Sequence, residues 1–211
     1  MARILITSGP TRQYLDPVRY LTNASSGRMG CALAEAALEL GHEVTIVTGP
    51  VQIAYPAQAK IVPIVSTEEM LAASELEFEH CDGLIGVAAP CDYRPQRVSP
   101  GKIAKTGAPL ELHLIETPDI VATLGAHKGS RWCVGFALET DDHRLRALAK
   151  LQKKCCDLMV VNGTEAMHAI DTRVEVMNPR GEILARLEGS KTDVGRGILQ
   201  IVQSELVEKK S

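Results

Sequence analysis

Short apolar runs alternate with longer segments of mixed polarity along most of the chain. The apolar runs occupy residues Arg3–Thr7, Val44–Val47, Ile61–Val65, Gly83–Val87, Trp132–Ala137 and Asp157–Val161. Runs of this length without alternating polar positions are typical of strands that are covered on both faces. Helices are predicted between them, so the pattern indicates an α/β protein with a Rossmann-like, doubly wound and mostly parallel sheet.

Capping residues set the predicted bounds of the helices. Gly41 ends a first helix that begins at about Gly27, and Ser66 is expected to cap a helix that continues to about Glu77. A later helix is expected to carry Pro118 at its first helical position. The same signals predict a strand near 110–115 and helices at about 141–154 and 191–207.

A β-hairpin is predicted near the end of the chain. Two apolar runs flank the turn sequence Asn178-Pro179-Arg180-Gly181, which is a hairpin signature. The hairpin is expected to span about 172–188. With 45% hydrophobic residues the chain has enough apolar surface for one core, so residues 1–211 are expected to form a single domain with this hairpin as an extension.

The connection between the first strand and the first helix is unusually long and polar. It reads GPTRQYLDPVRYLTNASSGRMG, from Gly9 to Gly30. Connections of this kind usually have about two to six residues, so this one is roughly three times longer. It ends at a helix N-terminus, where unpaired N–H groups and the helix dipole favour an anion. Its polar residues, which indicate a functional loop, are Arg12, Asp16, Arg19, Asn23, Ser25 and Ser26.

Composition argues against several classes of protein. The net charge of −3 and the isoelectric point of about 6.1 argue against a general nucleic-acid-binding protein. No apolar run approaches the roughly 20 residues that cross a bilayer, and no secretory leader is expected, so neither a membrane nor an export route is predicted. Six cysteines without a C-x-x-C pair indicate reduced thiols in a cytoplasmic protein rather than disulfides or a zinc site.

A dinucleotide-binding protein is the first alternative that this fold suggests. The fingerprint of that class is G-x-G-x-x-G directly after the first strand, with an acidic residue at the end of the second strand. Here Gly9, Gly27 and Gly30 are separated by the long loop, and Val47 is followed by Thr-Gly-Pro. The spacing therefore gives little support to an oxidoreductase that uses NAD or NADP.

Residue by residue, DPVRYLTNASSGRMG resembles the signature of the phosphopantothenate–cysteine ligase family, also called phosphopantothenoylcysteine synthetases. The resemblance continues through ILITSGPT, AAPCDYR, GKIAKTG, TPDIV and VGFALET, and so covers nearly the whole chain. Members join 4′-phosphopantothenate to L-cysteine in coenzyme A synthesis, through an acyl-nucleotide, with release of pyrophosphate and nucleoside monophosphate. In many bacteria this domain follows a flavin-dependent decarboxylase. A stand-alone form is expected here, with a separate decarboxylase as a candidate partner.

The resemblance implies a role for individual residues. Lys102 matches the family's loop lysine that contacts the phosphates, and Asn23 matches the asparagine that holds the activated carbonyl, so both are candidate catalytic residues. The implied substrate-binding positions are Arg19, Ser25, Ser26 and Gly27. The implied nucleotide-binding positions are Ala88, Ala89, Asp92, Lys102, Pro118, Asp119, Ile120, Val121, Phe136, Lys150 and Lys154.

The resemblance also implies cofactors and partners. Members require Mg²⁺ (or Mn²⁺), whose protein ligands are unknown here, and they form homodimers through the hairpin region and part of the sheet. Bacterial members typically use CTP and eukaryotic ones prefer ATP, so CTP is the expected co-substrate and ATP the alternative. Two departures bear on this choice. Pro90-Cys91 stands where Val-Ala is typical, Thr117 stands where Asn is common, and Pro90 removes a backbone N–H.

Structural alternatives stand beside these assignments. Lys150 and Lys154 are four residues apart, which is also the spacing of a solvated helix face. Phe136 could pack in an ordinary core, and Ser26 could be a plain helix cap. For the whole chain, a non-catalytic nucleotide-binding protein of the same fold is the further alternative, against which Lys102 and Asn23 count.

Overall fold

Strands and helices follow each other in the computed structural model, which describes residues 1–139, 143–163 and 172–210. The strands are β1 (Arg3–Ser8), β2 (Arg12–Tyr14), β3 (Tyr20–Thr22), β4 (Glu43–Thr48), β5 (Lys60–Pro63), β6 (Gly83–Gly86), β7 (Tyr93–Pro95), β8 (Leu114–Glu116), β9 (Trp132–Glu139), β10 (Leu158–Gly163), β11 (Thr172–Met177) and β12 (Ile183–Gly189). The α-helices are α1 (Arg28–Glu39), α2 (Thr67–Phe78), α3 (Ile120–Ala126), α4 (His143–Lys153) and α5 (Lys191–Val202).

An eight-stranded sheet forms the centre, in the order β12-β11-β10-β9-β6-β1-β4-β5. The six strands from β10 to β5 run parallel to one another, whereas β11 pairs antiparallel with both β10 and β12. The predicted fold class is therefore confirmed, and the predicted hairpin is β11–β12, which extends one side of the sheet. Strand β1 lies in the middle, because Ile4 pairs with Val44 on one side and with Gly83 on the other.

The two faces of the sheet carry two separate hydrophobic cores. Ile4 and Ile6 of β1 point to the face that α1 and α5 cover, whereas Leu5 points to the face covered by α2, α3 and α4. All three side chains are completely buried. Because β1 is apolar on both faces, its position in the centre of a doubly covered sheet follows from its sequence.

One predicted strand is wrong in placement, and the long loop contains a hairpin that was not predicted. The strand predicted near 110–115 is Leu114–Glu116, and it does not join the main sheet but pairs antiparallel with β7 in a separate two-stranded arm. Its side chains are exposed, so it lacks the apolar burial that a place in the sheet requires. The long loop after β1 contains the β2–β3 hairpin, in which Arg12 pairs with Thr22.

The helix ends agree with their predicted caps in two cases and differ in a third. Gly41 is left-handed, with φ of 80°, and the Ser66 side chain accepts the Glu69 N–H at 3.1 Å. Pro118 is not helical; helix α3 begins at Ile120, because Asp119 caps it. The predicted start of α4 at 141 lies outside the described residues. Helix α5 continues into a π-helical turn at Gln203–Val207 and a 3₁₀ turn at Glu208–Lys210.

We expect the Gly30→Ala variant to be less stable than the wild type by about 1–3 kcal/mol. Helix α1 approaches β1 so closely that a Cβ on Gly30 would overlap the Ser8 hydroxyl. Urea denaturation of both proteins gives the change in free energy of unfolding. The control is Gly101→Ala, where a Cβ would meet no atom within 4 Å. Equal stability of the two variants would contradict the assigned contact.

Candidate active site

The strand order reverses between β1 and β6, and the carboxyl ends of these strands open a crevice there. From β1 the chain continues outward to β4 and β5, then crosses to β6, β9 and β10 on the other side. Crevices at such reversal points are the usual ligand sites of open α/β sheets. The two loops meet directly beyond the strands, because Pro10 and Ala89 form a parallel bridge and the Ala89 N–H donates to the Gly9 carbonyl at 2.9 Å.

Gly27 shapes the start of helix α1 at this crevice. It is the N-cap residue, its φ is 74°, and a Cβ there would lie 3.0 Å from both Tyr55 and Val51. A residue with a side chain would therefore be strained at this position. Ser26 is exposed and does not cap the helix, so the simple capping alternative for Ser26 is wrong.

A cleft of ≈ 420 Å³ lies between the β2–β3 hairpin and the start of α1. It brings Asn23, Ser25 and Ser26 together, as predicted for one half of a site, but it does not include Arg19. Its full lining is Pro10, Arg12, Tyr20, Thr22, Asn23, Ala24, Ser25, Ser26 and Pro50.

Arg12 is the cationic residue of this cleft that sequence reasoning did not assign. Its guanidinium lies over the Tyr20 ring, 4.6 Å from the centroid, and Tyr20 also contacts Tyr14 edge to face at 5.4 Å. No carboxylate among the described residues forms an ion pair with Arg12. Arg12 stood out in the sequence as a polar residue of the loop, but its position depends on the β2–β3 pairing, which was not predicted.

Asn23 joins the two loops of the crevice. Its side-chain nitrogen donates to the carbonyl oxygens of Pro90, at 2.8 Å, and Ala89, at 3.4 Å. Both bonds use the amide nitrogen, whereas the amide oxygen makes no hydrogen bond with the described residues. The residue is half-buried at the mouth of the cleft. Asn23 therefore fixes the Ala88–Pro90 segment through its amide nitrogen. Its amide oxygen is not used to hold either loop.

Threonine side chains hold the loop after β6. The Cys91 N–H donates to the Thr11 hydroxyl at 2.8 Å, and the Cys91 carbonyl accepts from Thr117 at 2.7 Å and from Thr67 at 3.2 Å. The Thr117 N–H also donates to the Asp92 carbonyl at 2.9 Å. The two positions at which this chain departs from the family motifs therefore contact each other. Thr117 replaces a common asparagine, yet it still supplies a donor to this loop.

The two segments predicted to bind the nucleotide lie next to each other. Lys154 Nζ pairs with Asp119 Oδ2 at 3.1 Å, while Asp119 Oδ1 accepts the N–H of Ala122 and caps α3. Lys154 directly follows the last residue of α4, and Lys150 is exposed in its final turn. The side chain of Lys154 thus links the predicted segments 118–121 and 150–154.

The remaining predicted nucleotide residues differ in their surroundings. Val121 lies against Gly86, so closely that no Cβ would fit there, and this places the start of α3 at the end of β6. Phe136 is half-buried and packs against the core under α1 and α5, which agrees with the structural alternative for this residue. Asp92 and Lys102 are exposed, and neither forms an ion pair with the described residues.

Arg19 is held by a carboxylate. Its Nη1 donates to Asp16 Oδ2 at 2.7 Å and to the Ile103 carbonyl at 3.0 Å. Burial by itself raises the pKa of the Asp16 carboxyl, but N–H donors from Ile103, Val18 and Arg19, with the charge of Arg19, outweigh it and lower the pKa to about 2. Asp16 is therefore ionised at any physiological pH.

All six cysteine thiols are free, and those of Cys81, Cys91, Cys133 and Cys156 are buried. Burial, together with the neighbouring Glu35, raises the pKa of the Cys31 thiol to about 11. Within the described ranges no three His, Cys, Asp or Glu side chains form a group that could bind a metal ion. No described helix is long and apolar enough to cross a bilayer.

We expect the contribution of Asp16 to stability to change with pH only in acid. Its pKa is lowered from 3.8 to about 2, so the carboxylate stabilises the folded state fully above the unfolded-state pKa and loses this effect as the pH falls toward 2. Urea denaturation of the wild type and of Asp16→Asn should give a constant difference in unfolding free energy above about pH 5 and a smaller one below about pH 4. A difference that does not change with pH would contradict the shift.

Comparison with known proteins identifies the family. The protein-family model described as "DNA/pantothenate metabolism flavoprotein C-terminal domain" matches residues 1–206. The coenzyme A biosynthesis bifunctional protein CoaBC of Vibrio vulnificus (strain YJ016) is 39% identical over 208 residues, which are 95% of this chain and 52% of that protein. This chain therefore spans about half the length of the curated relatives that it matches.

Solved structures share the whole fold. The C-terminal domain of a CoaBC protein superimposes with a TM-score of 0.84 at 37% identity, covering 98% of this chain and 96% of that domain. A Cab2 mutant in complex with phosphopantothenate-cysteine has a TM-score of 0.83, with 16% identity and coverage of 99% and 89%, and so shows the same fold. These matches confirm the resemblance seen in the motifs: the chain belongs to the DNA/pantothenate metabolism flavoprotein C-terminal domain family.

Proposed function

We propose that this protein is a phosphopantothenate–cysteine ligase of coenzyme A synthesis. The observation that carries the proposal is the position of Asn23, which spans the crevice between β1 and β6 and lies at the mouth of a cleft lined by Arg12 and two serines. The relatives support it: the CoaBC proteins are named for coenzyme A biosynthesis, and the Cab2 mutant was solved with the product of this ligation.

The proposed reaction has two steps. The carboxylate of 4′-phosphopantothenate attacks the α-phosphorus of the nucleotide, a bond from phosphorus to the bridging oxygen breaks, and pyrophosphate leaves. The cysteine amine then attacks the carbonyl carbon of the acyl-nucleotide, loses a proton, and expels the nucleoside monophosphate. Negative charge grows first on the phosphates and then on the carbonyl oxygen, so each step needs hydrogen-bond donors or cations at a different place.

The nucleotide half of the site is assigned to the edge formed by the β6 loop, α3 and the end of α4. Lys102, Lys150 and Lys154 supply positive charge for the phosphates, while Ala88 and Ala89 supply backbone groups. In the segment from Pro118 to Val121, the Val121 side chain lies against Gly86 at the end of β6. We propose CTP as the nucleotide, as in bacterial members of the family, with ATP as the alternative.

The acyl-transfer half is assigned to the cleft beside the β2–β3 hairpin. Asn23 contacts the activated acyl group, and because its nitrogen already holds Pro90, binding of the carbonyl oxygen would require a shared or exchanged hydrogen bond. Ser25, Ser26 and Gly27 lie at the start of α1 and bind the substrate phosphate. Arg12 is added as a cation for this phosphate, since it lines the cleft, whereas Arg19 lies outside the cleft and is bound to Asp16.

Mg²⁺ is proposed to bind together with the nucleotide. It prefers oxygen ligands and usually binds through phosphates, water and one or two carboxylates rather than in a protein cage. The described residues fit this mode, because Asp92 is an exposed carboxylate at the β6 loop and forms no ion pair with the described residues. The ion would neutralise phosphate charge during attack at the α-phosphorus.

Homodimer formation is also proposed. The β7–β8 arm and the segment beside it expose several large apolar side chains, which a second copy would remove from water. These side chains belong to Tyr93, Val98, Leu110, Leu112, Leu114 and Ile115. Association with a separate decarboxylase is proposed from the bifunctional relatives, in which this region is about half of the protein.

We expect pyrophosphate release only when nucleotide, Mg²⁺ and 4′-phosphopantothenate are present together. The reason is that pyrophosphate leaves when the substrate carboxylate attacks, so omission of any component stops the reaction. A coupled pyrophosphate assay with CTP and ATP in parallel tests activity and nucleotide choice. The absence of release with every nucleoside triphosphate would refute the proposed function.

We expect Asn23→Ala to lower turnover roughly 100-fold while nucleotide affinity changes much less. Removal of a donor that stabilises developing charge in acyl transfer typically costs about this factor. Rapid-quench assays of acyl-nucleotide and product would locate the loss, and titration calorimetry would give the nucleotide Kd. As a control, Asn178→Ala removes an asparagine that only holds the β11–β12 turn. Unchanged turnover in Asn23→Ala would remove Asn23 from its proposed role.

A further inference from the structure

Asp16 is a completely buried carboxylate in an otherwise half-exposed hairpin turn. Its side chain has no exposed surface. Oδ1 accepts the N–H groups of Val18, at 2.8 Å, and Arg19, at 2.7 Å, which closes the turn between β2 and β3. Such local bonds are common in turns that contain aspartate. They do not explain the second oxygen.

The second oxygen binds a segment far away in sequence. Oδ2 accepts the Ile103 N–H at 3.1 Å and Arg19 Nη1 at 2.7 Å, and the same Nη1 donates to the Ile103 carbonyl at 3.0 Å. Both backbone groups of Ile103 are therefore held by the Asp16–Arg19 pair. Because the Ile103 N–H belongs to the peptide bond after Lys102, the backbone of Lys102 is fixed as well.

These contacts are the main attachment of the lysine segment to the rest of the protein. Residues 97–109 are mostly exposed and contain no helix or strand. Within the described parts of the chain, three hydrogen bonds join them to other segments: the two at Ile103 and one from the Ser99 N–H to the Leu15 carbonyl, at 2.9 Å. All three end on residues 15–19 of the hairpin turn.

We propose that Asp16 is a positioning residue that places Lys102 for the first step of the reaction, by fixing Ile103 to the β2–β3 hairpin. Asp16 acts through the neighbouring peptide bond and does not touch the nucleotide. The hairpin that borders the substrate cleft and the segment that carries the phosphate-binding lysine then move as one unit. This inference rests on the proposed function for the role of Lys102, but the attachment itself can be tested without catalysis.

Asp16→Asn breaks the distant contact selectively. The amide can keep Oδ1 as an acceptor for the turn, but its nitrogen cannot accept from Ile103 or from Arg19. The matched control is Asp82→Asn: Asp82 also accepts a backbone N–H and pairs with an arginine, both from Arg3, at the opposite end of the sheet. Arg19→Gln is the second variant, which removes the bond to the Ile103 carbonyl from a partly exposed position.

Limited trypsin digestion tests the attachment. Cleavage after Arg97, Lys102 and Lys105 should be roughly tenfold faster in Asp16→Asn, because loss of a charged hydrogen bond shifts local opening by about this factor. Arg19→Gln should show a smaller increase. Cleavage after Arg180, in the β11–β12 turn, is the internal reference and should not change in either variant or in Asp82→Asn. Equal cleavage of residues 97–105 in the wild type, Asp16→Asn and Arg19→Gln would overturn the proposal, whatever the activity.

A double-mutant cycle tests the link to Lys102. If Asp16 acts through Lys102, Asp16→Asn should lower kcat for pyrophosphate release in the wild type but have almost no further effect in Lys102→Ala. A general structural effect would instead multiply with that of Lys102→Ala, and that result would overturn the positioning role. If the wild type releases no pyrophosphate with any nucleotide, the proposed function fails, and the digestion still decides whether Asp16 holds the segment.

Discussion

The pairing of β1 with both β4 and β6 determines where the rest of the molecule lies. Because the chain leaves β1 toward one side of the sheet and returns on the other, the loops after β1 and β6 face each other across a gap. That gap has no strand to fill it. The chain fills it with polar contacts instead: the bond from Ala89 to Gly9, the Asn23 amide on Pro90, and the threonines around Cys91.

The fold could be predicted to the extent that it follows from burial. Gly83–Val87 is apolar throughout, and its strand is buried on both faces in the centre of the sheet. In residues 110–115 apolar positions alternate with Glu111 and His113, and the strand there lies in an exposed arm. The two strands differ in this pattern and also in their pairing partners. Hydrophobicity shows that a segment must be buried. Tertiary contacts determine whether a helix layer or another part of the protein buries it.

The candidate site could be predicted where the side chain of a motif residue is itself expected to bind a substrate. It could be predicted less well where a residue acts by holding the backbone of another segment. Asn23 lies at the crevice, and Lys154 contacts Asp119 of the other predicted nucleotide segment. Asp16 and Arg12 were not assigned, because their surroundings depend on the β2–β3 hairpin, and three-residue strands give almost no periodic signal. The contact between Thr117 and Cys91 joins residues 26 apart and could not be foreseen from either motif alone.

The ion pair between Lys154 and Asp119 has a consequence for the proposed binding of a polyanion. Lys154 already has a negative partner, so a phosphate that bound there would replace one anion with another. Asp119 is 43% exposed, and a pair of this kind stabilises the fold very little, so the exchange costs little. The displaced carboxylate keeps its other oxygen on the N–H of Ala122. Helix α3 would therefore stay capped with a phosphate bound, and this exchange of counterions would not require a change in the backbone.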